Sequence, residues 1–109
     1  MARTFYRIVQ TDPPTLVDFL SDVARGRVRY PLTPEQHQLR SGLSVFNTEA
    51  QARRKAQDWP NLGRHIAAVE IPASSAIRFE RTLRSSPGHH TLWGDPVDLL
   101  ACVVAVLPV

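Results

Sequence analysis

The hydrophobic pattern along the chain changes period several times, and each change marks an element. Thr4-Phe5-Tyr6-Arg7-Ile8-Val9 is dense in aromatic and β-branched residues and stops at Thr11-Asp12-Pro13-Pro14, so it predicts a strand followed by a turn. Leu16, Phe19, Leu20 and Val23 then recur at helical spacing, with Asp18 and Asp22 opposite and Gly26 placed to end the run, which predicts an amphipathic helix. Residues 27–33 predict a loop because Pro31 excludes a regular element. Thr33-Pro34-Glu35-Gln36 carries a helix-start signature: a hydroxyl at N-cap, Pro in the first turn and Gln at N3. Gly42 stops that helix early.

Leu43-Ser44-Val45-Phe46-Asn47 predicts a second strand, with Leu43 and Val45 on one face and Ser44 and Phe46 on the other. It runs directly into a second capping box, Thr48-Glu49-Ala50-Gln51. In the helix that follows, Ala52, Ala56 and Trp59 recur at roughly helical intervals, while Arg53, Arg54 and Gln57 point outward. Asp58 to Gly63 closes it. His65 to Ile71 is nearly continuous in apolar residues and ends at Pro72, which predicts an interior strand.

Ile77 to Leu83 alternates as an exposed strand would, and Ser85 to Gly88 predicts a loop. His89 to Gly94 is short and aromatic. Asp95-Pro96-Val97-Asp98 repeats the cap logic for one helical turn, and the β-branched density of Ala101 to Pro108 predicts a last, buried strand. This order reads as an α+β fold over residues 1–109, one compact domain with a mixed or antiparallel sheet of about five to six strands and two to three helices.

Composition bounds this picture. With 109 residues and 43% apolar content, the chain has enough hydrophobic surface to fold around a single core. No run approaches the ~18 apolar residues of a membrane helix, and MARTFYRIVQ lacks the apolar region of a secretory signal, so a cytoplasmic setting is expected. The lone Cys102 excludes an internal disulfide framework and a cysteine-cluster zinc site. The formal charge of +3 is carried by arginines and the single Lys55, a bias that fits a GC-rich bacterial genome. The clusters Arg25-Gly-Arg27-Val-Arg29 and Arg53-Arg54-Lys55 are too short to mark a nucleic-acid tail, although Tyr30 and Trp59 lie beside them. Nucleic acid is therefore not the expected partner.

Few residues carry candidate chemistry. Arg7 places a guanidinium inside an otherwise apolar strand: it either faces water with Phe5 and Val9, or donates to a phosphate or carboxylate. His89 and His90 point to opposite faces of a strand and so do not chelate one ion, and no metal site is expected; one of them, beside Thr91 and Trp93, suits a proton carrier. Ser44 lacks a nucleophile elbow, the five glycines form no phosphate-binding motif, and Glu70 fits a water-facing strand position.

The block Gly42-Leu43-Ser44-Val45-Phe46-Asn47-Thr48, followed by Ala52 and Ala56, resembles the second conserved block of the ADP-ribosyltransferase fold, a Gly-led strand leading through a hydroxyl residue into a helix with small residues. The order of elements is similar too, with Arg7 matching the Arg or His of a first strand, and the resemblance covers about half the chain. It implies NAD or a related nucleotide as ligand, with Arg7 at a phosphate or ribose, Ser44 or Thr48 as the supporting hydroxyl and Phe46 beside the nicotinamide. Together with the residue reading, this gives Arg7, Thr48 and His90 as candidate catalytic residues, and Tyr6, Ser44, Phe46 and Trp93 as candidate ligand contacts. Transferases of this fold use a glutamate near the last strands, whereas here Pro87 onward holds only Asp95 and Asp98; Glu70 or Glu80 would have to substitute, so catalysis stays open. The alternative is a non-catalytic interaction module, a homodimer or one partner of an operon-encoded pair, using the apolar tail as an interface strand.

Overall fold

Two seven-residue strands, both rich in β-branched and aromatic residues, form the middle of the sheet and are covered on both sides. The computed structural model describes residues 2–83 and 86–109. Its elements are β1 (Arg3–Val9), α1 (Pro34–Arg40), β2 (Leu43–Phe46), α2 (Glu49–Asp58), β3 (His65–Ile71), β4 (Arg78–Arg81), β5 (His89–Trp93), α3 (Pro96–Ala101) and β6 (Val103–Pro108), with 3-10 turns at Leu16–Phe19 and Pro60–Leu62. The sheet runs β4-β5-β2-β1-β3-β6, and every neighbouring pair is antiparallel. The fold is α+β, and among the described residues it has three α-helices and six strands, all paired antiparallel. Among the described residues no helix is long and apolar enough to cross a membrane.

Alternation along the strands splits the interior in two. Phe5, Val9, Leu43, Val45, Val69 and Leu92 project to one face, where Phe19 and Leu99 cover them. Phe46 and Ile66 project to the other, where Ala52 of α2 lies against them and Tyr6 and Ile8 pack at the margin. Small residues on α2 let its backbone approach the sheet closely. Its N-terminus is fixed by the predicted box: the Gln51 amide donates to Thr48 Oγ1 at 3.2 Å, and the Thr48 amide donates to Gln51 Oε1 at 3.1 Å. The same device opens α1 at Thr33 and Gln36.

Three expectations change. The helix predicted over residues 16–23 is only a single 3-10 turn. Asp18 explains this, because its carboxylate accepts from the amides of Gln10 and Thr15, both at 2.9 Å, and ties the turn to the end of β1. Leu20 then leaves helical space at φ −89° and ψ 134°, and the Val23 amide donates to the Arg40 carbonyl instead of to its own helix. The strand predicted as buried at Ala101–Pro108 is an edge: β6 pairs only with β3, and Val104 is 60% exposed. Trp59 caps the end of α2 in solvent rather than joining the inner stripe of Ala52 and Ala56; Lys55 Nζ sits 5.5 Å from its ring centroid. Of the loop predicted over Ser85–Gly88, Ser85 lies outside the described residues.

Candidate ligand-binding cleft

β1 pairs with β3 along its whole length, yet with β2 it shares only the Tyr6–Phe46 pair. Strands that part leave main-chain groups without ladder partners, and here the side chain of Arg7 serves one such carbonyl on β2 and a second in the turn over Leu16–Phe19. Its Nε donates to the Asp18 carbonyl at 3.1 Å and its Nη1 to the Ser44 carbonyl at 2.7 Å. Arg7 thus spans the opening between β1 and β2 and does not project into water alongside Phe5 and Val9, as one reading of the sequence had it. The Gln10 side chain secures the far end, donating to the Leu62 carbonyl at 2.9 Å.

Around Arg7 lies a cleft of about 330 Å³, at the lower end of the ~300–1,000 Å³ typical of small-molecule sites. One wall comes from β1 and the turns over residues 18–27, and the other from β2, Lys55 of α2 and the Pro60–Leu62 turn; His89 and Ser86 close it. Gly42 permits the close approach of α1 to β5 at this edge, since a Cβ there would sit 2.8 Å from Trp93 Nε1 and 2.9 Å from the Leu92 carbonyl oxygen. Phe46 and His89 meet edge to face, with ring centroids 5.6 Å apart and planes at 88°.

The electrostatics of the cleft are uneven. Burial pushes the Arg7 pKa down to about 10, the neighbouring positive charge of Arg25 lowers it further, and Asp18 and Asp22 offset only part of this. The guanidinium stays charged at neutral pH but is held at a cost. Arg25 donates through Nη2 to the Val17 carbonyl, while its Nε is buried and has no hydrogen-bond partner among the described residues. Arg27 and Lys55 line the same cleft. Both carboxylates present are already engaged: Asp18 by two backbone amides, and Asp22 by Arg40 Nε at 2.9 Å. Burial also lowers the pKa of His89, whose Nδ1 lies 2.9 Å from Thr82 Oγ1, which in turn is 2.6 Å from Thr91 Oγ1. That favours the neutral imidazole.

Of the residues singled out from sequence, Arg7, Ser44 and Phe46 come together along the cleft. The others lie elsewhere. Thr48 is the N-cap of α2, with its hydroxyl accepting from the Gln51 amide. Tyr6 packs beside Phe46 in the cluster under α2. His90 is on the opposite face from His89, 5.0 Å from the Phe5 ring, with Nδ1 at 2.9 Å from the Gly88 carbonyl oxygen. Trp93 donates to the Gln38 carbonyl at 2.8 Å and lines a separate shallow groove with Phe79 and Glu80. Among the described residues there is no group of three or more potential metal ligands.

Comparison with protein-family models, curated proteins and solved structures finds no match. The cleft is therefore interpreted from its own chemistry. Sequence reasoning missed His89, Arg25 and Lys55. The parity of β5 held the only available signal, since a strand that turns His90 toward Phe5 must turn His89 toward Phe46.

Proposed function

We propose that the cleft between β1 and β2 binds NAD or a related nucleotide, in the manner of an ADP-ribosyltransferase-like fold. The observation that carries this reading is Arg7, a half-buried guanidinium bridging the two diverging strands beside a second arginine, with Ser44 and Phe46 of the Gly-led strand at the same opening. Cationic groups in a partly dry cleft suit phosphate, the Ser44 hydroxyl suits a ribose, and the Phe46–His89 wall offers an aromatic surface to a ring.

The reading extends to binding and stops short of assigning transfer. Stabilising an oxocarbenium-like ribosyl centre calls for a free carboxylate, and Asp18 and Asp22 are both engaged. Glu70 is exposed on β3 and Glu80 is exposed on the edge strand β4. A degenerate, ligand-binding relative accounts for this arrangement better than an active transferase.

Isothermal titration with NAD, ADP-ribose, AMP and nicotinamide tests the proposal. Saturable binding of the phosphate-bearing ligands that is lost in Arg7→Ala supports it; no binding at millimolar concentration refutes it.

One feature favours a second reading, an interaction module. β6 exposes an uncharged outer edge with Val104 and Ala105 turned to solvent, and such an edge is prone to pair with another strand. Light scattering discriminates: a dimer that Val104→Lys dissociates, together with no ligand response, would replace the nucleotide reading.

A further inference from the structure

The geometry points to Arg25 as the anion-contacting residue of the cleft, with a phosphoryl group, and most naturally a diphosphate, as its ligand. The inference rests on the reading of the cleft as a ligand site and specifies which atoms make the contact. Arg7 already donates through Nε to Asp18 and through Nη1 to Ser44, so much of its hydrogen-bonding capacity holds the opening together. It is a positioning residue. Arg25 lines the cleft and, among the described residues, is committed only through Nη2, to Val17; this leaves Nη1 for a ligand, whereas the buried Nε is closed to one. An unengaged guanidinium donor in a cleft gains a charge-assisted hydrogen bond when an anionic acceptor arrives.

The charge count indicates the chemical class. Among the described residues the cleft is lined by Arg7, Arg25, Arg27 and Lys55 against Asp18 and Asp22. Asp22 is shared with Arg40, which lies outside that lining. His89, kept neutral by burial, adds no charge near pH 7. The surplus is therefore at least two positive charges, and Arg7 and Arg25 repel each other across it. A monocarboxylate would neutralise half of this surplus, whereas a diphosphate diester, with one negative charge on each phosphate, matches it and offers oxygens to both Arg25 and the Arg27–Lys55 side. The enclosed volume favours a small molecule over a polymer backbone.

The test is titration calorimetry with inorganic pyrophosphate, ADP, ADP-ribose and acetate against the wild type, Arg25→Met and Arg25→Lys, each variant first shown to be folded by circular dichroism. The expected result is binding of pyrophosphate, ADP and ADP-ribose but not acetate. Arg25→Met should weaken each by at least ~10-fold, and Arg25→Lys should recover part of the loss. Pyrophosphate alone binding would identify a free diphosphate as the source, and ADP or ADP-ribose binding more tightly would identify a nucleotide. Affinities unchanged in Arg25→Met would overturn the inference, as would absence of pyrophosphate, ADP and ADP-ribose binding at 10 mM (roughly the limit of a specific site). If Arg25→Met does not fold, Arg25→Gln is measured in its place under the same criteria. Arg25-dependent pyrophosphate binding without any NAD binding would retire the NAD reading and leave this inference standing. NAD binding indifferent to Arg25 would do the reverse.

Discussion

Replacing Arg7 with methionine should separate the stability of the fold from the chemistry of the cleft. Methionine keeps most of the apolar stem of the side chain and removes the guanidinium with its charge. Two charge-assisted hydrogen bonds disappear, those to the Asp18 and Ser44 carbonyls at 3.1 and 2.7 Å. At ~1.5–3 kcal/mol each, their loss would cost about 3–6 kcal/mol. Against this, the guanidinium is held in an environment that lowers its pKa to about 10. At ~1.36 kcal/mol per pH unit, removing it returns up to ~3 kcal/mol of burial penalty and repulsion from Arg25. The net expectation is a destabilisation of about 0–3 kcal/mol, a midpoint shift of several degrees at most, with phosphate-ligand affinity weakened. Urea unfolding followed by Trp59 and Trp93 fluorescence gives the first quantity, and calorimetry gives the second. A loss above ~5 kcal/mol would mean that Arg7 is a structural tie with no charge strain to relieve. A stable Arg7→Met variant that binds as tightly as wild type would remove Arg7 from the site.

Three further outcomes are expected. The His89 pKa is lowered by burial from its ordinary 6.5, so below about pH 6.5 the unfolded chain takes up a proton that the native state resists; stability should fall with decreasing pH until the lowered native pKa is reached, and His89→Gln should flatten that part of the curve. Thr48→Ala should cost about 1 kcal/mol through loss of the α2 cap and leave ligand affinity unchanged, since the hydroxyl serves Gln51 and not the cleft; a fall in affinity at equal stability would restore Thr48 as a ligand contact. Gly63→Ala should destabilise by at least ~2 kcal/mol in denaturant titration, because Gly63 holds φ 153° and a Cβ would press on the Val9 carbonyl, its carbon only 2.8 Å away; a neutral result would show that the β1–β3 end relaxes freely.

The local grammar of the chain was legible where a side chain acts on its own neighbours. Thr33 with Gln36, Thr48 with Gln51, and Asp95 with Val97 all cap as their spacing says, and the strands at Thr4–Val9 and His65–Ile71 follow from composition. What the sequence hid depends on partners far along the chain. Asp18 looks like the polar face of a helix until Gln10 and Thr15 are seen to claim it, and β6 looks buried until the strand order makes it an edge. The cleft was half legible for the same reason. Arg7, Ser44 and Phe46 stood out by residue type, and they lie on two strands that flank one opening. Arg25, by contrast, arrives on an irregular turn closed by Gly26 at φ 69°, which no periodicity marks. The choice between His89 and His90 needed the register of β5 against β2.

The position of β1 has a kinetic consequence. It lies between β2 and β3 in the sheet although it comes first in sequence, so its seven-residue ladder closes a loop of ~55 residues before any pair is formed. β2 pairs with β5, and β3 with β6, across comparably distant segments. Almost nothing in the sheet is a local hairpin except β4–β5. Such topology places folding in the millisecond-to-second range rather than the microsecond range of helical bundles. Until β6 arrives, the apolar edge of β3 stays uncovered, so a nascent or truncated chain lacking residues 103–108 should be most vulnerable to aggregation at His65–Ile71.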